Sequence, residues 1–414
     1  MSVSYCFIGG MIFPSQFNEV KVKSKCGLQN AANTFQLAFI DGLSSNLNHL
    51  DIINLPFIGS WPINYKSIFA PKTEQFKYTN HNGHMATCEN ISFINLTYLK
   101  NHFREIGCYN ALNNYCHKHN SDDFIYLITY TLHQPFLRAV KKIKRKYNNV
   151  RSIVIVTDLP EFKNDIIPSW KKLFLDYDTH ISKEEYNSAD GFILLTKAMA
   201  NKVIFNQQPY EIIEGLFTPT SNSYNDSILQ DNSDDIKTIL YSGTLAKRYN
   251  IINLVHAVSN IQDKTIRLQI CGSGNSKDEI LKLAEKNSRI EFLGELSREE
   301  VMKLQRKASL LVNPRTDEGD YTKYSFPSKT MEYLASGTPT ILYKLPGIPD
   351  EYYNYCFSLS ESGVTALQAK IEEVLSISKP DLISFGKKAQ EFIYTQKNSQ
   401  IQTKKLLKLI NHIK

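Results

Sequence analysis

The sequence predicts an α/β protein of two domains, each with a parallel sheet covered by helices on both faces. Its 414 residues, 42% hydrophobic and 21% charged, exceed what one core usually organises. Short β-rich runs alternate with helical patterns in both halves, which is typical of strands joined by crossover helices. Between the halves, residues 219–235 are rich in Ser, Asn and Asp, so this stretch is predicted to be a linker.

The strands follow in order along the chain. In the N-terminal half they are predicted at 4–8, 51–55, 124–130, 153–157 and 192–195, with a helix at 28–43. In the C-terminal half they are predicted at 238–241, 266–271, 290–293, 310–313 and 340–342. Helical patterns at 251–258, 278–287, 298–308 and 327–336 separate these strands.

These elements define the domain boundaries. We predict an N-terminal domain at 1–217, a linker at 218–235, a C-terminal domain at 236–390 and a C-terminal helical segment at 391–414. The last stretch, 397–414, has apolar residues at helical spacing among lysines, as expected of an amphipathic helix that packs back on the protein.

Charge and cysteine usage narrow the function class. A net charge of +7 without a long basic run suits anionic ligands or an anionic membrane surface better than nucleic acid. The seven cysteines are scattered, which indicates a reduced cytoplasmic protein without a disulfide framework. The apolar stretch 3–13 has no basic residues before it and is too short to span a bilayer, so we interpret it as a buried strand.

The segment from 310 to 342 carries the chemistry. It has the sequence LLVNPRTDEGDYTKYSFPSKTMEYLASGTPTIL, which predicts a strand, a polar loop, a short helix and a second strand. Pro327 fits the first helical turn, Ser325 is a candidate cap, and Gly337 with Pro339 ends the helix. The loop follows the carboxyl end of a strand, where open parallel sheets bind ligands.

The start of this helix is a candidate phosphate site. Free backbone N–H groups and the positive end of the helix dipole attract phosphate, and Arg315, Lys323 and Lys329 lie nearby in sequence. A nucleotide diphosphate fits such a site. Glu332 could accept hydrogen bonds from a ribose diol, the alternative being an ordinary surface glutamate.

This segment resembles the donor site of retaining family 4 glycosyltransferases, in particular the bacterial capsule and exopolysaccharide enzymes. The resemblance implies the GT-B fold, two Rossmann-like domains whose parallel sheets face each other across a cleft. It also implies transfer of a hexose-type sugar from a nucleotide sugar, most often UDP-linked, to a lipid-linked or saccharide acceptor. The family usually has two glutamates eight positions apart: the second matches Glu332, but Tyr324 replaces the first. Backbone amides of 325–328, including those of Phe326 and Ser328, are expected to take over part of its role.

Other segments resemble the same family. YSGTLAKRYNIINLVHAV resembles its first C-domain strand, glycine turn and helix, in which Gly243 lets backbone approach the phosphates. Thr244 and Tyr249 occupy the places of the usual Arg and Lys, so Lys247 and Arg248 are either donor-site substitutes or solvated loop charges.

The N-terminal half resembles the acceptor domain of the family. GLQNAANTFQLAFIDGL resembles its first glycine-led helix, with Gly9 and Gly10 at the preceding strand end. His133 lies where the family often has a histidine near the transferred sugar, the alternative being a structural hydrogen bonder. Asp158, in the turn after the strand 153–157, is a weaker acceptor-site candidate.

We expect neither a metal nor a cofactor. Fixed amides and cations that face the diphosphate would stabilise the leaving group without a divalent ion. The acidic cluster of Asp317, Glu318 and Asp320 lies among lysines in a polar loop and is expected to be solvated.

Two segments suggest contact with a membrane. The run 138–147 (RAVKKIKRKY) and the aromatic stretch 56–72 could dock together on anionic lipid at the inner face of the membrane. The alternative is a solvated helix face and an ordinary core loop.

Other enzyme classes fit less well. A glycoside hydrolase needs a flanking carboxylate pair, and a nicotinamide oxidoreductase needs GxGxxG after a strand; neither pattern is present. A nucleotide-sugar epimerase on the same two-domain architecture and a non-catalytic sugar-binding module remain alternatives.

Overall fold

A computed structural model of the chain describes residues 3–73, 75–80, 83–119, 123–162, 182–219 and 236–413. The chain divides into two compact units. One comprises Met1–Thr218 with Ser399–Lys414, and the other comprises Pro219–Asn398. The predicted linker lies outside the described residues apart from its first two positions, Thr218 and Pro219.

The first unit contains an eight-stranded sheet with the order β3-β4-β2-β1-β5-β6-β7-β8. Its strands are Val3–Gly9 (β1), Asp51–Asn54 (β2), Phe76–Thr79 (β3), Met85–Asn90 (β4), Phe124–Tyr130 (β5), Val150–Val156 (β6), Gly191–Leu194 (β7) and Tyr210–Ile212 (β8). All neighbours pair in parallel except β3 and β4. The predicted parallel sheet is confirmed, and it carries one antiparallel edge strand, β3, which is short, half-exposed and next to its partner in sequence.

Helices cover both faces of this sheet. They are Phe17–Lys23 (α1), Asn30–Asn46 (α2), Lys100–His117 (α3), Gln134–Lys146 (α4), Lys183–Asn187 (α5) and Ala200–Val203 (α6). One core cluster packs α2 against the sheet through Phe39 and Leu43. A second cluster packs α3 and α4 on the opposite face through Cys108, Leu112 and Phe136.

The second unit contains a six-stranded parallel sheet with the order β11-β10-β9-β12-β13-β14. Its strands are Lys237–Ser242 (β9), Ile266–Cys271 (β10), Ile290–Gly294 (β11), Leu310–Asn313 (β12), Thr340–Tyr343 (β13) and Phe357–Leu359 (β14). Its helices are Ile251–Asn260 (α7), Lys277–Lys286 (α8), Arg298–Lys307 (α9), Ser328–Ala335 (α10), Val364–Leu375 (α11) and Lys379–Gln396 (α12). The five strands expected from the sequence are all present, and their apolar residues form the core.

The C-terminal helix Ser399–His412 (α13) belongs to the first unit. Its first N–H group donates to the Phe217 carbonyl at 2.8 Å, and Thr403 Oγ1 accepts from Asn46 on α2 at 3.0 Å. The contact with α2 is close, because a Cβ atom on Gly42 would lie 2.2 Å from the Ser399 carbonyl oxygen. The structure thus puts the start of the returning segment at 399 rather than at 391.

Candidate functional site

Two glycine turns meet at the carboxyl ends of β9 and β10. The Gly243 N–H donates to the Cys271 carbonyl at 3.0 Å. A Cβ atom on Gly272 would lie 1.8 Å from the Gly243 carbonyl oxygen, and Gly272 has a φ of +139°. A Cβ atom on Gly274, which has a φ of +155°, would lie 2.5 Å from the backbone of Leu245. Only glycine allows this approach of two backbones, and it sets the position of the Gly243 turn.

The helix α10 begins beside these turns without a side-chain cap. Pro327 occupies the N-cap position rather than the first turn, and in the described loop no side chain bonds to the first N–H groups. The expectation that Ser325 caps the helix is wrong, because its hydroxyl accepts from Arg315 at 2.7 Å and donates to the Tyr321 carbonyl at 3.0 Å. The Thr330 N–H donates to the Pro327 carbonyl at 2.9 Å, so among the described residues the N–H groups of Ser328 and Lys329 keep their capacity to bind an anion.

The turn before α10 is anchored at one end and open at the other. Phe326 and Pro327 are buried, and the Phe326 ring packs 5.4 Å from the Tyr352 ring. Ser328, the first helical residue, is exposed, and Lys329 is half-buried. The helix start therefore reaches solvent while the preceding side chains hold its position.

Arg315 is a buried cation next to this helix start. Its side chain is 8% exposed, and its guanidinium lies over the rings of Tyr321 and Tyr249 at 4.9 and 5.5 Å. One amino group bonds to Ser325, whereas Nε is buried and has no hydrogen-bond partner among the described residues. A buried, incompletely satisfied guanidinium is costly unless an anion completes it. Sequence analysis identified Arg315, but not the two tyrosines that hold it.

Lys329 and Glu332 lie on the outer side of α10, next to the Gly243 turn. Their side chains form an ion pair at 2.6 Å, and a Cβ atom on Gly243 would lie 3.8 Å from Lys329 Cε. The helix is fixed to β9 by Tyr333, whose hydroxyl accepts from the Ser242 N–H at 2.8 Å and donates to the Ser242 carbonyl at 3.1 Å. Burial raises the pKa of Tyr333 above its usual value, so the hydroxyl stays protonated and can donate.

The other predicted donor-site residues differ in their contacts and in their exposure to solvent. Arg248 lies over the rings of Tyr249 and Tyr321, so it shares the aromatic pair that holds Arg315. Lys247 and Thr244 are exposed, although the Thr244 carbonyl accepts from the Tyr241 hydroxyl at 2.7 Å.

Lys323 and the acidic loop residues lie on the outer surface. Lys323 is exposed and pairs with Asp320 at 2.9 Å, and this hydrogen bond raises the pKa of Lys323. Asp317 and Glu318 are also exposed. No group of three His, Cys, Asp or Glu residues in the described parts of the chain could hold a metal ion.

The predicted acceptor-site residues lie along the carboxyl edge of the first sheet, and the structure brings Gly10 and His133 together but not Asp158. The Gly10 N–H donates to Gln36 Oε1 at 2.9 Å, and a Cβ atom on Gly10 would lie 2.4 Å from the Phe57 ring. The same Phe57 ring meets the His133 ring edge-on at 5.2 Å. Gly9 precedes Gly10 at the end of β1, and Asp158 is exposed just after β6, two strands away in the sheet.

A small cavity opens beside Gly10. It lies between α1 and α2, and its lining includes Phe17, Leu28, Gln29, Asn33, Gln36 and Phe57. The glycine-led helix thus forms one wall of a space next to His133.

Arg104, on α3, was missed by the sequence analysis. It is 2% exposed, and its Nη2 donates to the Pro56 carbonyl at 2.8 Å. Its Nη1 lies 3.2 Å from His133 Nε2. Burial lowers the pKa of Arg104 to about 9, so the group is still charged at neutral pH. Because a charged guanidinium can only donate, His133 Nε2 accepts, and its ring proton is assigned to Nδ1. An arginine within a helical pattern gives no sequence signal for this contact.

Four of the six basic side chains of α4 are held by acidic partners. Arg138 pairs with Glu185, Lys141 with Glu184, Lys142 with Glu105 and Lys144 with Asp190, at 2.5 to 2.8 Å. These pairs favour the solvated-face interpretation of α4 over lipid docking. Among the described residues, no helix combines the length and the apolar character needed to cross a membrane.

Comparison with known proteins agrees with the predicted fold. Residues 227–398 match the family model of glycosyl transferases group 1. No curated protein sequence matches the chain.

Solved structures resemble the whole chain at low sequence identity. Sucrose-phosphate synthase from Thermosynechococcus elongatus is 16% identical, with a TM-score of 0.62 over 99% of each chain. HepE from Anabaena, in complex with UDP, is 12% identical, with a TM-score of 0.61 over 99% of this chain and 100% of its own. A trehalose-6-phosphate structure from E. coli, bound with UDP-2-fluoro glucose, is 10% identical, with a TM-score of 0.63 over 98% and 99%. The chain has the GT-B fold, and with its group 1 domain it is a glycosyltransferase.

Proposed function

We propose that the protein is a retaining glycosyltransferase that moves a hexose-type sugar from a UDP-linked donor to a lipid-linked or saccharide acceptor in cell-surface polysaccharide synthesis. One observation carries the donor half of this proposal. Arg315, buried and with an unpartnered Nε, lies beside the uncapped start of α10. A pyrophosphate would supply the missing acceptors for both features.

The same residues account for leaving-group stabilisation. As the bond from the anomeric carbon to the phosphate breaks, negative charge grows on the diphosphate oxygens. Arg315, the α10 amides and Lys329 are held in place before the reaction, so they stabilise this charge without reorganisation. Loss of one such donor typically costs about 10²- to 10³-fold in kcat.

Glu332 and the segment 325–328 are assigned to the nucleoside and the sugar. Glu332 is about one-third exposed, and its carboxylate can accept from a ribose diol while it remains paired with Lys329. Tyr324 stands where the family usually has its first glutamate. The backbone amides at the start of α10 therefore take part of the contact with the donor sugar.

The proposal of uridine as the base draws on two of the similar structures. The HepE structure contains UDP, and the E. coli trehalose-6-phosphate structure contains UDP-2-fluoro glucose. UDP and UDP-2-fluoro glucose are ligands of those two proteins. For this chain, uridine is part of the proposal.

The acceptor is assigned to the cavity beside Gly10. His133 is placed near this cavity by Phe57, which lines it, and the His133 ring is fixed by Arg104 and by Phe57. Asp158 and Gly9 lie on the same edge of the sheet.

The test measures UDP release from nucleotide sugars in the presence of a crude lipid-sugar fraction. We expect Glu332→Ala to lower the rate by at least tenfold. The matched control is Glu299→Ala, since Glu299 also pairs with a lysine on a helix surface, Lys303, at 3.0 Å; this control is expected to keep the rate. Equal release by wild type and Glu332→Ala would remove the transferase assignment from this site. Conversion of the donor to an epimeric nucleotide sugar without acceptor would replace transfer by epimerisation.

A further inference from the structure

Large exposed hydrophobic side chains concentrate on one surface of the first unit. Six of them belong to three segments of this unit and form what we call the apolar strip: Val22, Ile63, Ile68, Phe69, Tyr98 and Leu99. Tyr98 is 82% exposed and Val22 is 68% exposed. Contiguous exposed apolar surface of this kind marks an interaction site more often than scattered single residues do.

Backbone hydrogen bonds show that the three segments lie side by side. On one flank, the Lys25 N–H donates to the Asn64 carbonyl at 2.9 Å, and the Lys66 N–H donates to the Lys23 carbonyl at 2.9 Å. On the other flank, the Thr97 N–H donates to the Trp61 carbonyl at 2.9 Å. Segment 61–69 is therefore the centre of the strip, with 22–25 and 94–99 on either side.

The strip is a fixed surface rather than a loose loop. Tyr65, in its central segment, is fully buried in the core cluster that contains Leu55 and Phe93. Ala70 is buried as well, and its N–H donates to the Phe93 carbonyl at 3.0 Å. Because Tyr65 and Ala70 anchor this segment in the core, Ile63 and Phe69 stay directed to solvent.

Lysines surround the strip. Lys21, Lys25, Lys66 and Lys72 are exposed. The ammonium groups of Lys25 and Lys66 bond to the carbonyl oxygens of Pro62 at 2.7 Å and Val22 at 2.8 Å, which are neutral acceptors. Their charges are therefore not cancelled by these contacts, in contrast to the paired lysines of α4.

We propose that the apolar strip docks on an anionic lipid bilayer, with its hydrophobic side chains in the interfacial region and the lysines at the headgroups. Apolar side chains ringed by lysines match the chemistry of such a surface, which combines an acyl boundary with negative charge. This surface replaces the basic face of α4 as the membrane contact.

The strip also lies close to the acceptor cavity. Phe17, on α1, and Phe57, which precedes the central segment, both line that cavity. A lipid-linked acceptor could thus present its head group to the cavity from the docked membrane. This part of the inference rests on the proposed function, whereas the docking itself does not.

The experiment is co-sedimentation of the full chain with vesicles of phosphatidylcholine, with and without phosphatidylglycerol. Wild type is expected to bind only the vesicles that contain phosphatidylglycerol. Ile63→Asp with Phe69→Asp should weaken binding at least tenfold, and Lys25→Gln with Lys66→Gln should weaken it severalfold. The matched control is Phe205→Asp with Leu281→Asp, which changes two exposed hydrophobic residues outside the strip and should bind as wild type does.

Three outcomes would overturn the inference. Wild type could stay in the supernatant with both vesicle types, or Ile63→Asp with Phe69→Asp could bind vesicles as well as wild type does. The control pair Phe205→Asp with Leu281→Asp could also lose as much vesicle binding as the strip variant. Unchanged thermal midpoints establish that the variants are folded. UDP binding, measured on the same proteins, separates the two proposals. A chain that binds vesicles but not UDP would refute the donor site and leave the docking surface standing.

Discussion

Replacing Arg315 by methionine tests the donor site most directly. The substitution keeps much of the side-chain length and apolar contact with Tyr249 and Tyr321 but removes the cation beside the start of α10. One amino group of Arg315 is already engaged with Ser325, so Nε and the remaining N–H groups are those available to a diphosphate. A hydrogen bond to a charged group contributes about 1.5–3 kcal/mol, which corresponds to roughly 10- to 150-fold in Kd.

The assay is isothermal titration of the full chain with UDP at low ionic strength. We expect Arg315→Met to weaken binding by that factor, and Arg315→Lys to recover part of it because the charge returns without the planar fork. Arg267→Met, an exposed position on β10, is the control and should bind as wild type does. Loss of the Ser325 contact lowers the free energy of unfolding by about 1 kcal/mol, so titrations are made well below the thermal midpoint. A Kd of the folded Arg315→Met protein within twofold of wild type would refute the assignment.

Further predictions concern the scaffold and the acceptor site. In a urea titration, Gly272→Ala should lower the free energy of unfolding by roughly 3 kcal/mol or more, because its Cβ would collide with the Gly243 carbonyl at a φ of +139°. The control is Gly27→Ala, which has no neighbour within 4 Å and should unfold as wild type does. Tyr333→Phe should cost about 1–3 kcal/mol, since the buried Ser242 N–H loses its acceptor, and a denaturation midpoint equal to wild type would contradict that hydrogen bond. In ¹⁵N NMR of histidine-labelled protein at neutral pH, His133 should carry its proton on Nδ1, as assigned with a His133→Gln spectrum, and Arg104→Met should shift its Nε2 resonance. A proton on Nε2 in wild type would exclude Arg104 as its donor.

Much of the fold could be predicted from local pattern. The alternation of apolar runs and amphipathic helices located β5 at its observed bounds and all five expected strands of the second sheet, because these are parallel strands with an apolar signal and all but the edge strand β11 are largely buried. β3, β4, β8 and β14 were missed, and three of them, β3, β8 and β14, are short edge strands with mixed side chains. Their pairing depends on the neighbouring strand rather than on their own sequence.

Some features of the candidate site could likewise be predicted from the sequence, and others could not. The sequence alone determined the Gly243 turn, the position of α10 and the cations near its start, since strand ends, proline and glycine are local signals. Only the tertiary structure decided how these cations are used: Arg315 is buried between two tyrosines, whereas Lys323 faces solvent with Asp320. Only the tertiary structure showed that Arg104 contacts His133, 29 positions away in the chain. It also showed that the hydrophobic residues Val22, Ile63 and Tyr98 are exposed. Contacts between side chains of distant segments depend on how the segments pack, so they cannot be predicted from local sequence pattern.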